Sequence, residues 1–349
     1  MTQEITPTAR TADPQPPPPP PPPAERKSRR VTGETLRRQL HQGLAFGTLV
    51  LLLVFFSIAS DNFFTFSNIT TILLSTAVIG ILALGTTFVI ITGGIDLSIG
   101  TGMTLCSVLT ALAMTDWGLP MPVALVVGLL TGAVIGLVNG VVISFLRLPP
   151  FIATLGTMLI AQGLALVISG VRPIYTSAVA DFRYIALGAL IPGIPNAVLI
   201  LFGLAIVAWF ILSKTILGRY TYAIGSNEEA TRLSGIDTRK WKITIYTLAG
   251  LFTGAAGIVI ASRLNSAQPQ LGSGYELQAI AAVIIGGTSL LGGRGTILGT
   301  LIGALIMSVL INGLRILSIQ SEWQNVVVGI VIIIAVWADT VRQSRTATA

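Results

Sequence analysis

The sequence has very few of the residues from which enzymes build catalytic and metal sites. Only 10% of its 349 residues are charged, against roughly 25% in a soluble domain, and it has one cysteine and one histidine. Cys106 alone excludes an intrachain disulfide framework or cysteine cluster, and His41 lies beside a basic run. No stretch matches the Gly-x-x-x-x-Gly-Lys-Ser/Thr loop that binds nucleotide phosphates. We therefore expect no catalytic residue, cofactor or metal in this chain.

Apolar residues make up 52% of the chain and fall in long runs. About 20 apolar residues cross a bilayer as a helix, and a helix satisfies its own backbone hydrogen bonds. The sequence therefore predicts an all-α polytopic membrane protein with about ten transmembrane or partly re-entrant helices. The expected segments are 43–60, 69–92, 98–115, 121–145, 150–170, 195–213, 243–262, 276–291, 296–316 and 324–341.

The basic residues predict the orientation of these segments. With the N-terminus inside, all but four of the 21 lysines and arginines fall in the cytoplasm. An even number of spans with both termini cytoplasmic follows. The net charge of +7 is explained by topology, so nucleic acid is not an expected partner.

The ends of the chain differ from this membrane domain, 43–341. Residues 1–42 carry an unbroken proline run, Pro16 to Pro23, and then a basic cluster, which predicts a disordered cytoplasmic tail. The tail is either a spacer or a proline ligand for a partner domain. Residues 342–349 form a second, short cytoplasmic tail.

Two glycine pairs interrupt the apolar runs, Gly93-Gly94 and Gly286-Gly287. Non-helical backbone at membrane depth is tolerated only beside protein or a water-filled cavity, so both predict a helix break at a pathway or a tight interface. The stretches from 93 to 102 and from 286 to 295 align without gaps, which indicates an internal repeat or a chance match between glycine-rich helices.

Four polar residues lie within or beside the spans, and each has two interpretations. Asp96 either caps the third span or serves a substrate or proton, because a charge in the bilayer is costly. Asn139, Gln162 and Asn312 either line a pathway or bond between helices. Glycine stripes such as Gly128, Gly132, Gly136 and Gly140 predict close helix packing.

The loop from Lys214 to Lys242 predicts a short amphipathic helix. Ser226 with Glu229 has the spacing of a capping box, and Gly235 provides a stop. Glu228 and Arg232 are spaced to pair, and Ala230 and Leu233 share an apolar strip. The helix is either a docking element for a cytosolic partner or a solvated connector.

Several motifs in order resemble ribose-type sugar ABC transporter permeases. They are Leu217-Gly218-Arg219-Tyr220, the string from Ala223 to Ile236, Thr92 to Ser98, Arg263 to Glu276, and Ile285 to Leu290, so the resemblance covers about 43–341. Glu229 departs from the family pattern, which often has a small residue there.

The resemblance implies a bacterial inner-membrane subunit that forms the channel of a monosaccharide importer, usually as a homodimer. A cytosolic ATPase would bind ATP and magnesium, and a periplasmic sugar-binding protein would dock on outer loops such as 171–195 and 263–275. The coupling segment to the ATPase would be Ser226, Asn227, Glu228, Glu229, Ala230, Arg232, Leu233 and Gly235. The rival function is an ion-coupled secondary transporter, for which the spans offer almost no ionisable groups.

Overall fold

The computed structural model describes residues 28–347, with side chains described for residue 43 and for 45–341. The chain divides into two units, 1–39 and 40–349. Of the predicted tail, residues 1–27 and the proline run in them lie outside the described residues. The first helix begins at Ser28, so a helix covers the rest of the predicted tail.

Helices dominate the described residues. They are α1 (Ser28–Ala59), α2 (Phe66–Ile91), α3 (Ile99–Thr115), α4 (Met121–Phe145), α5 (Pro150–Ser169), α6 (Phe182–Leu187), α7 (Asn196–Lys214), α8 (Ile216–Ser226), α9 (Glu228–Leu233), α10 (Thr238–Leu264), α11 (Tyr275–Ile285), α12 (Ile297–Ile316) and α13 (Ser321–Ala347). Seven of the described helices are long and apolar enough to cross a membrane, and three shorter apolar helices accompany them in α1, α3 and α11. The predicted all-α polytopic membrane class is confirmed.

The predicted apolar segments match ten of these helices, of which α1 and α10 begin earlier than predicted, at Ser28 and Thr238. The segment 276–291 was predicted too long, because α11 ends at Ile285 and residues 286–296 form a loop. Glycines at 287, 292 and 293 adopt positive φ there, which a continuing helix does not allow. The amphipathic helix α8 was not predicted, since its apolar residues are too few for a span.

The centre of the bundle is α2, which is almost entirely buried by protein. It packs against α7, α10, α11 and α12. Its side chains are mostly apolar on every face, as expected of an enclosed helix, and its buried threonines, Thr76, Thr86 and Thr87, donate to carbonyls of α2 itself.

The glycine stripe of α4 packs against α10, as predicted. A Cβ at Gly132 would overlap the Gly250 carbonyl, and one at Gly136 would overlap the Tyr246 carbonyl. On α12, Gly299 and Gly303 similarly meet backbone of Gly286 and Ala282. Small residues let two helix backbones approach closely. In lipid the hydrophobic effect does not drive helices together, so the dispersion contacts made at this short distance stabilise the packing.

A two-stranded antiparallel ribbon joins the two predicted outer loops. β1 (Ile174–Tyr175) pairs with β2 (Ser266–Ala267), with Ile174 opposite Ala267. The Thr176 amide extends the contact by donating to the Asn265 carbonyl. The ribbon therefore joins the loops 171–195 and 263–275, with both residues of β2 buried.

Candidate functional site: the α9 junction and the outer cavity

The short helix α9 forms in the loop where the sequence predicted it, but its cap differs from the prediction. Asn227 is the N-cap, and its Oδ1 accepts the Ala230 amide at 2.9 Å. The predicted Ser226–Glu229 capping box is wrong, because Ser226 is still the last residue of α8. Gly235 has φ +83, so it terminates α9 as predicted.

The charged side chains of α9 also pair differently from the prediction. Arg232 bonds Glu229 at 2.7 Å, one turn back, and not Glu228. Glu228 instead bonds Lys242 at 2.6 Å, which fastens α9 to the start of α10. The i,i+4 pairing was wrong because the spacing alone does not account for a lysine that tertiary structure brings close.

The apolar strip of α9 faces outward. Leu233 is 79% exposed, Ala230 is also exposed, and Thr231 is the buried residue of the helix. A helix of six residues is too short to be stable alone, and its exposed leucine gives a further surface an apolar side chain to contact.

Directly beside α9, the end of α8 meets both helix breaks. A Cβ at Gly225 would overlap the Ile91 carbonyl, and it would lie 2.6 Å from the Gly293 amide nitrogen. Gly293 N donates to Ile91 O at 2.8 Å, which joins the loops themselves. Tyr222 adds a hydrogen bond from its hydroxyl to Gly295 O at 2.8 Å. We call Gly225, Ile91 and Gly293 the glycine junction.

The first break, residues 92–98, is closed mostly by side chains. Asp96, only 2% exposed, accepts the Ser98 amide at 2.8 Å and the Ser98 hydroxyl at 2.6 Å. Asn139 on α4 donates to the same hydroxyl at 2.8 Å, and Thr154 on α5 accepts the Leu97 amide at 3.1 Å. Asp96 thus stabilises the turn that precedes α3, a structural role close to the predicted cap. Its bond reaches the residue before the helix and not the first turn.

The second break, residues 286–296, is closed mostly by backbone. Gly93 and Gly287 both have positive φ, +78 and +91, and both donate to the carbonyl three residues earlier. The breaks therefore correspond with Gly93 on Gly287, one residue away from the gapless alignment that paired Gly93 with Gly286. That alignment was wrong because the second loop is longer and keeps Gly293 out of the helix.

A cavity of about 500 Å³ lies among α2, α10, α12 and α13 and the start of α11. We call it the outer cavity, because it lies on the side of the bundle that the sequence predicts to face outward. Its polar lining includes Ser75, Arg263, Tyr275, Gln278, Asn312 and Arg315. Asn312 therefore lines a pathway candidate, whereas Asn139 bonds between helices. Gln162 is half-buried on α5, away from the residues that line this cavity.

Sequence reasoning missed Arg263, Tyr275 and Gln278 as cavity residues. They were hidden because the loop before α11 descends into the bundle, where Gly272 packs against the Gly100 carbonyl and the Thr104 hydroxyl. The sequence did offer one signal. Arg263 and Arg315 are two of the four basic residues predicted on the outer side, where the positive-inside rule disfavours them.

The helical architecture and the breaks at membrane depth define a multi-pass membrane permease. The chain belongs to the family described as the permease component of the branched-chain amino acid transport system, whose model matches residues 68–336. It is an inner-membrane protein, as the permeases of this family are.

Curated relatives cover most of the chain. The ribose import permease protein RbsC of Escherichia coli K12 is 45% identical over 298 residues, 84% of this chain and 92% of that protein. RbsC of Bacillus subtilis 168 is 46% identical over 292 residues, 83% and 90% of the two chains. The D-allose transport system permease protein AlsC of E. coli K12 is 37% identical over 297 residues, 85% and 90%. No solved structure matches the chain.

Proposed function

We propose that this chain is the membrane-spanning permease subunit of an ABC importer that takes up a monosaccharide. The relatives named for ribose and allose import support this substrate class. A periplasmic binding protein would deliver the sugar, a second copy of the chain would complete the pathway, and a cytosolic ATPase would hydrolyse ATP with magnesium. The chain itself would bind no cofactor.

The proposed topology has ten crossings with both termini in the cytoplasm. The seven long helices and the three shorter apolar ones, α1, α3 and α11, would supply that number, with the 11 residues of α11 forming only part of a crossing. The turn containing Asp96 then lies on the same side as α9, and the β1–β2 ribbon lies on the opposite side, where the binding protein would dock. The ribbon ties the two outer loops together, so docking on one loop would move the other.

The observation that carries the coupling role is the exposed α9 beside the glycine junction. A partner that covers Leu233 would push on Asn227 and thus on Gly225, which contacts both helix breaks without an intervening side chain. Packed backbones have few intermediate positions, so a displacement at α9 would shift both breaks together. ATP-driven closure of the partner would thereby alter the pathway.

The ion-coupled secondary transporter has no support. Asp96 is occupied by hydrogen bonds from Ser98, and the described residues contain no group of three or more His, Cys, Asp or Glu side chains. Among the described residues the two buried acids, Asp96 and Glu276, both accept backbone amides, so each is engaged in holding a turn.

The test is ATP hydrolysis and assembly of this chain with its ATPase in lipid nanodiscs, comparing wild type with Leu233→Asp. Leu146→Asp is the matched control, because Leu146 is also exposed, at 65%, and lies in another loop predicted to be cytoplasmic. We expect Leu233→Asp to lose the complex or its coupled hydrolysis, and Leu146→Asp to keep both. Equal activity of the two variants would refute the coupling role of α9.

A further inference from the structure

The outer loop between α5 and α7 has two unlike halves. Residues 171–183 contain Arg172, Asp181 and Arg183, and their strand β1 pairs with β2. Residues 184–195 contain no charged residue, and neither does α7 before Lys214. The uncharged stretch that is typical of a membrane span therefore begins in the loop, well before the first residue of α7.

The middle of the uncharged half, residues 189–193, is an exposed apolar segment that we call the apolar tip. Its residues are alanine, leucine, isoleucine, proline and glycine, and all five are exposed. Leu190 is 82% exposed and Ile191 is 48% exposed. Consecutive apolar residues on the surface of a loop indicate a contact with protein or with membrane.

The apolar tip has a defined backbone. Pro192 and Gly193 are the central residues of a turn, which the Ile194 amide closes by donating to the Ile191 carbonyl at 3.0 Å. Gly193 has φ +84, as a type II turn requires at this position, and proline is common at the position before it. The apolar side chains are therefore presented by a hydrogen-bonded turn and not by a loose loop.

Asn196, the first residue of α7, closes the base of the loop. Its Oδ1 accepts the Leu190 amide at 2.9 Å, its amide donates to the Gly188 carbonyl at 2.7 Å, and its Nδ2 donates to the Tyr184 carbonyl at 2.9 Å. The two prolines of the loop have no N–H to satisfy. Backbone groups that contact lipid need partners within the protein, and most positions from 188 to 196 have either a bonded amide or no N–H.

A contact with α2 places the apolar tip at the outer boundary of the membrane. A Cβ built on Gly193 would lie 3.7 Å from the Phe66 ring, and Phe66, the first residue of α2, is 70% exposed. Exposed tryptophans also stand at outer helix ends, with Trp117 after α3 and Trp323 in the first turn of α13. Because tryptophan is enriched where helix ends meet lipid headgroups, these ends mark the interface that the tip adjoins.

We propose that the apolar tip inserts into the outer lipid interface of the membrane, while the ribbon half of the same loop stays in water. Leu190 and Ile191 would bury apolar surface about 5–10 Å into the boundary between headgroups and acyl chains. No charged group enters lipid with them, because residues 184–195 have none. The tip offers a protein partner no side chain that forms hydrogen bonds or ion pairs, whereas lipid requires none.

This inference rests on the proposed topology and goes beyond the importer role, because it divides one outer loop between lipid and water. The tip would fix the height of the loop at the membrane surface. A binding protein would then contact the ribbon and not Leu190 or Ile191.

The test measures the surroundings of the apolar tip in the full-length chain. Leu190→Cys is labelled with bimane and reconstituted in nanodiscs of phosphatidylethanolamine and phosphatidylglycerol. Tyr175→Cys is the matched control, because Tyr175 is 67% exposed and lies on β1 in the same loop. Cys106, the one native cysteine, is fully buried, so it should take up no label. Thermal unfolding of each labelled protein checks that it remains folded.

We expect lipid that carries a nitroxide near its headgroup to quench the Leu190 label more strongly than the Tyr175 label, and iodide in the water to do the reverse. The Leu190 label should also emit at a shorter wavelength than the Tyr175 label. Ile191→Cys should behave as Leu190→Cys does, which guards against a local effect of one substitution.

Two results would overturn the proposal. Equal quenching of the Leu190 and Tyr175 labels by iodide would place the tip in water, where a protein partner reaches it. Protection of the Leu190 label from both quenchers would place the tip against protein, such as a second copy of the chain.

Failure of this inference differs from failure of the proposed function. If the complete complex imports sugar while the Leu190 label lies in water, the lipid contact is wrong and the importer stands. If the permease does not assemble with its ATPase, the importer is wrong wherever the label lies. An impermeant maleimide should reach Tyr175→Cys from outside intact spheroplasts, and labelling only after lysis would contradict the topology.

Discussion

Both helix breaks place non-helical backbone inside the bundle, and the two differ in whether side chains or backbone groups supply most of its hydrogen bonds. Residues 92–98 use side chains, with Asp96 holding the Ser98 amide and hydroxyl and Thr154 holding the Leu97 amide. Residues 286–296 use mostly backbone, with Ser289 N bonded to Arg294 O and Gly293 N bonded to Ile91 O, although the Asp339 carboxylate accepts the Leu290 amide at 3.3 Å. The comparison teaches that a break can be specified either by a few polar groups or by positions that only glycine occupies without strain.

The largest effect is expected where both breaks meet, at Gly225→Val. The new Cβ overlaps the Ile91 carbonyl and crowds the Gly293 amide, and neither backbone group can rotate away. We expect a loss of about 3 kcal/mol or more, at the upper end of overpacking costs. Unfolding by SDS in mixed micelles measures it. Gly203→Val on α7, where nothing lies within 4 Å, is the control; equal losses would show that the junction is not tightly packed.

The next effect is expected at the side-chain break, for Asp96→Leu. The variant leaves the buried Ser98 amide and hydroxyl without their acceptor, which we expect to cost about 2–3 kcal/mol by the same measurement. Asp96→Asn keeps a carbonyl acceptor and should lose less than half as much. A loss of the same size in both variants would mean that the charge, and not the acceptor, holds the turn.

A smaller effect is expected at the backbone break, for Gly293→Ala. Gly293 has φ +72, which strains an alanine by about 1–2 kcal/mol, and its Cβ would lie 3.2 Å from the Ser226 Cα. Coupled ATP hydrolysis should fall with stability, because the change lies beside α9. Gly274→Ala, with φ +93 and open space, separates strain from crowding. Equal losses of stability in the two variants would show that only backbone strain acts and that the junction accommodates the methyl group.

The smallest effect is expected for Thr288→Val, also in the backbone break. Thr288 is fully buried, and its hydroxyl has no hydrogen-bond partner among the described residues. Replacing it with an isosteric methyl group removes an unsatisfied polar atom, so stability should stay unchanged or rise slightly. A loss above about 1 kcal/mol would reveal a water or ion bonded to this hydroxyl. The second break would then also depend on a polar side chain, as the first one does.

Much of the fold follows from local sequence, and the differences arise where tertiary contacts decide. Runs of apolar residues predicted the helices because lipid leaves the backbone no other way to bond. The pairing of Glu228 was not predictable, since Lys242 is distant in sequence and close in space. Ser226 and Asn227 both suit a cap, and only the continuation of α8 through Ser226 decides between them.

The candidate site was predicted in part. The breaks at Gly93-Gly94 and Gly286-Gly287 and the position of α9 follow from the glycines and the polar loop. Their meeting at Gly225 does not, because it depends on how three separate segments pack. The outer cavity was not predicted, because it depends on a loop that enters the bundle and the hydrophobic pattern of a sequence does not predict where a loop lies.

The enclosed position of α2 has a consequence for how the protein is made. During synthesis α2 emerges long before α10, α11 and α12, the helices that later surround it. A helix with unpaired polar groups on a contact face would be costly in lipid, but the buried threonines of α2, Thr76, Thr86 and Thr87, each donate to a carbonyl of the preceding turn of the same helix. It can thus reside in the bilayer as a stable early intermediate, and the later hairpins assemble around it by exchanging lipid for protein.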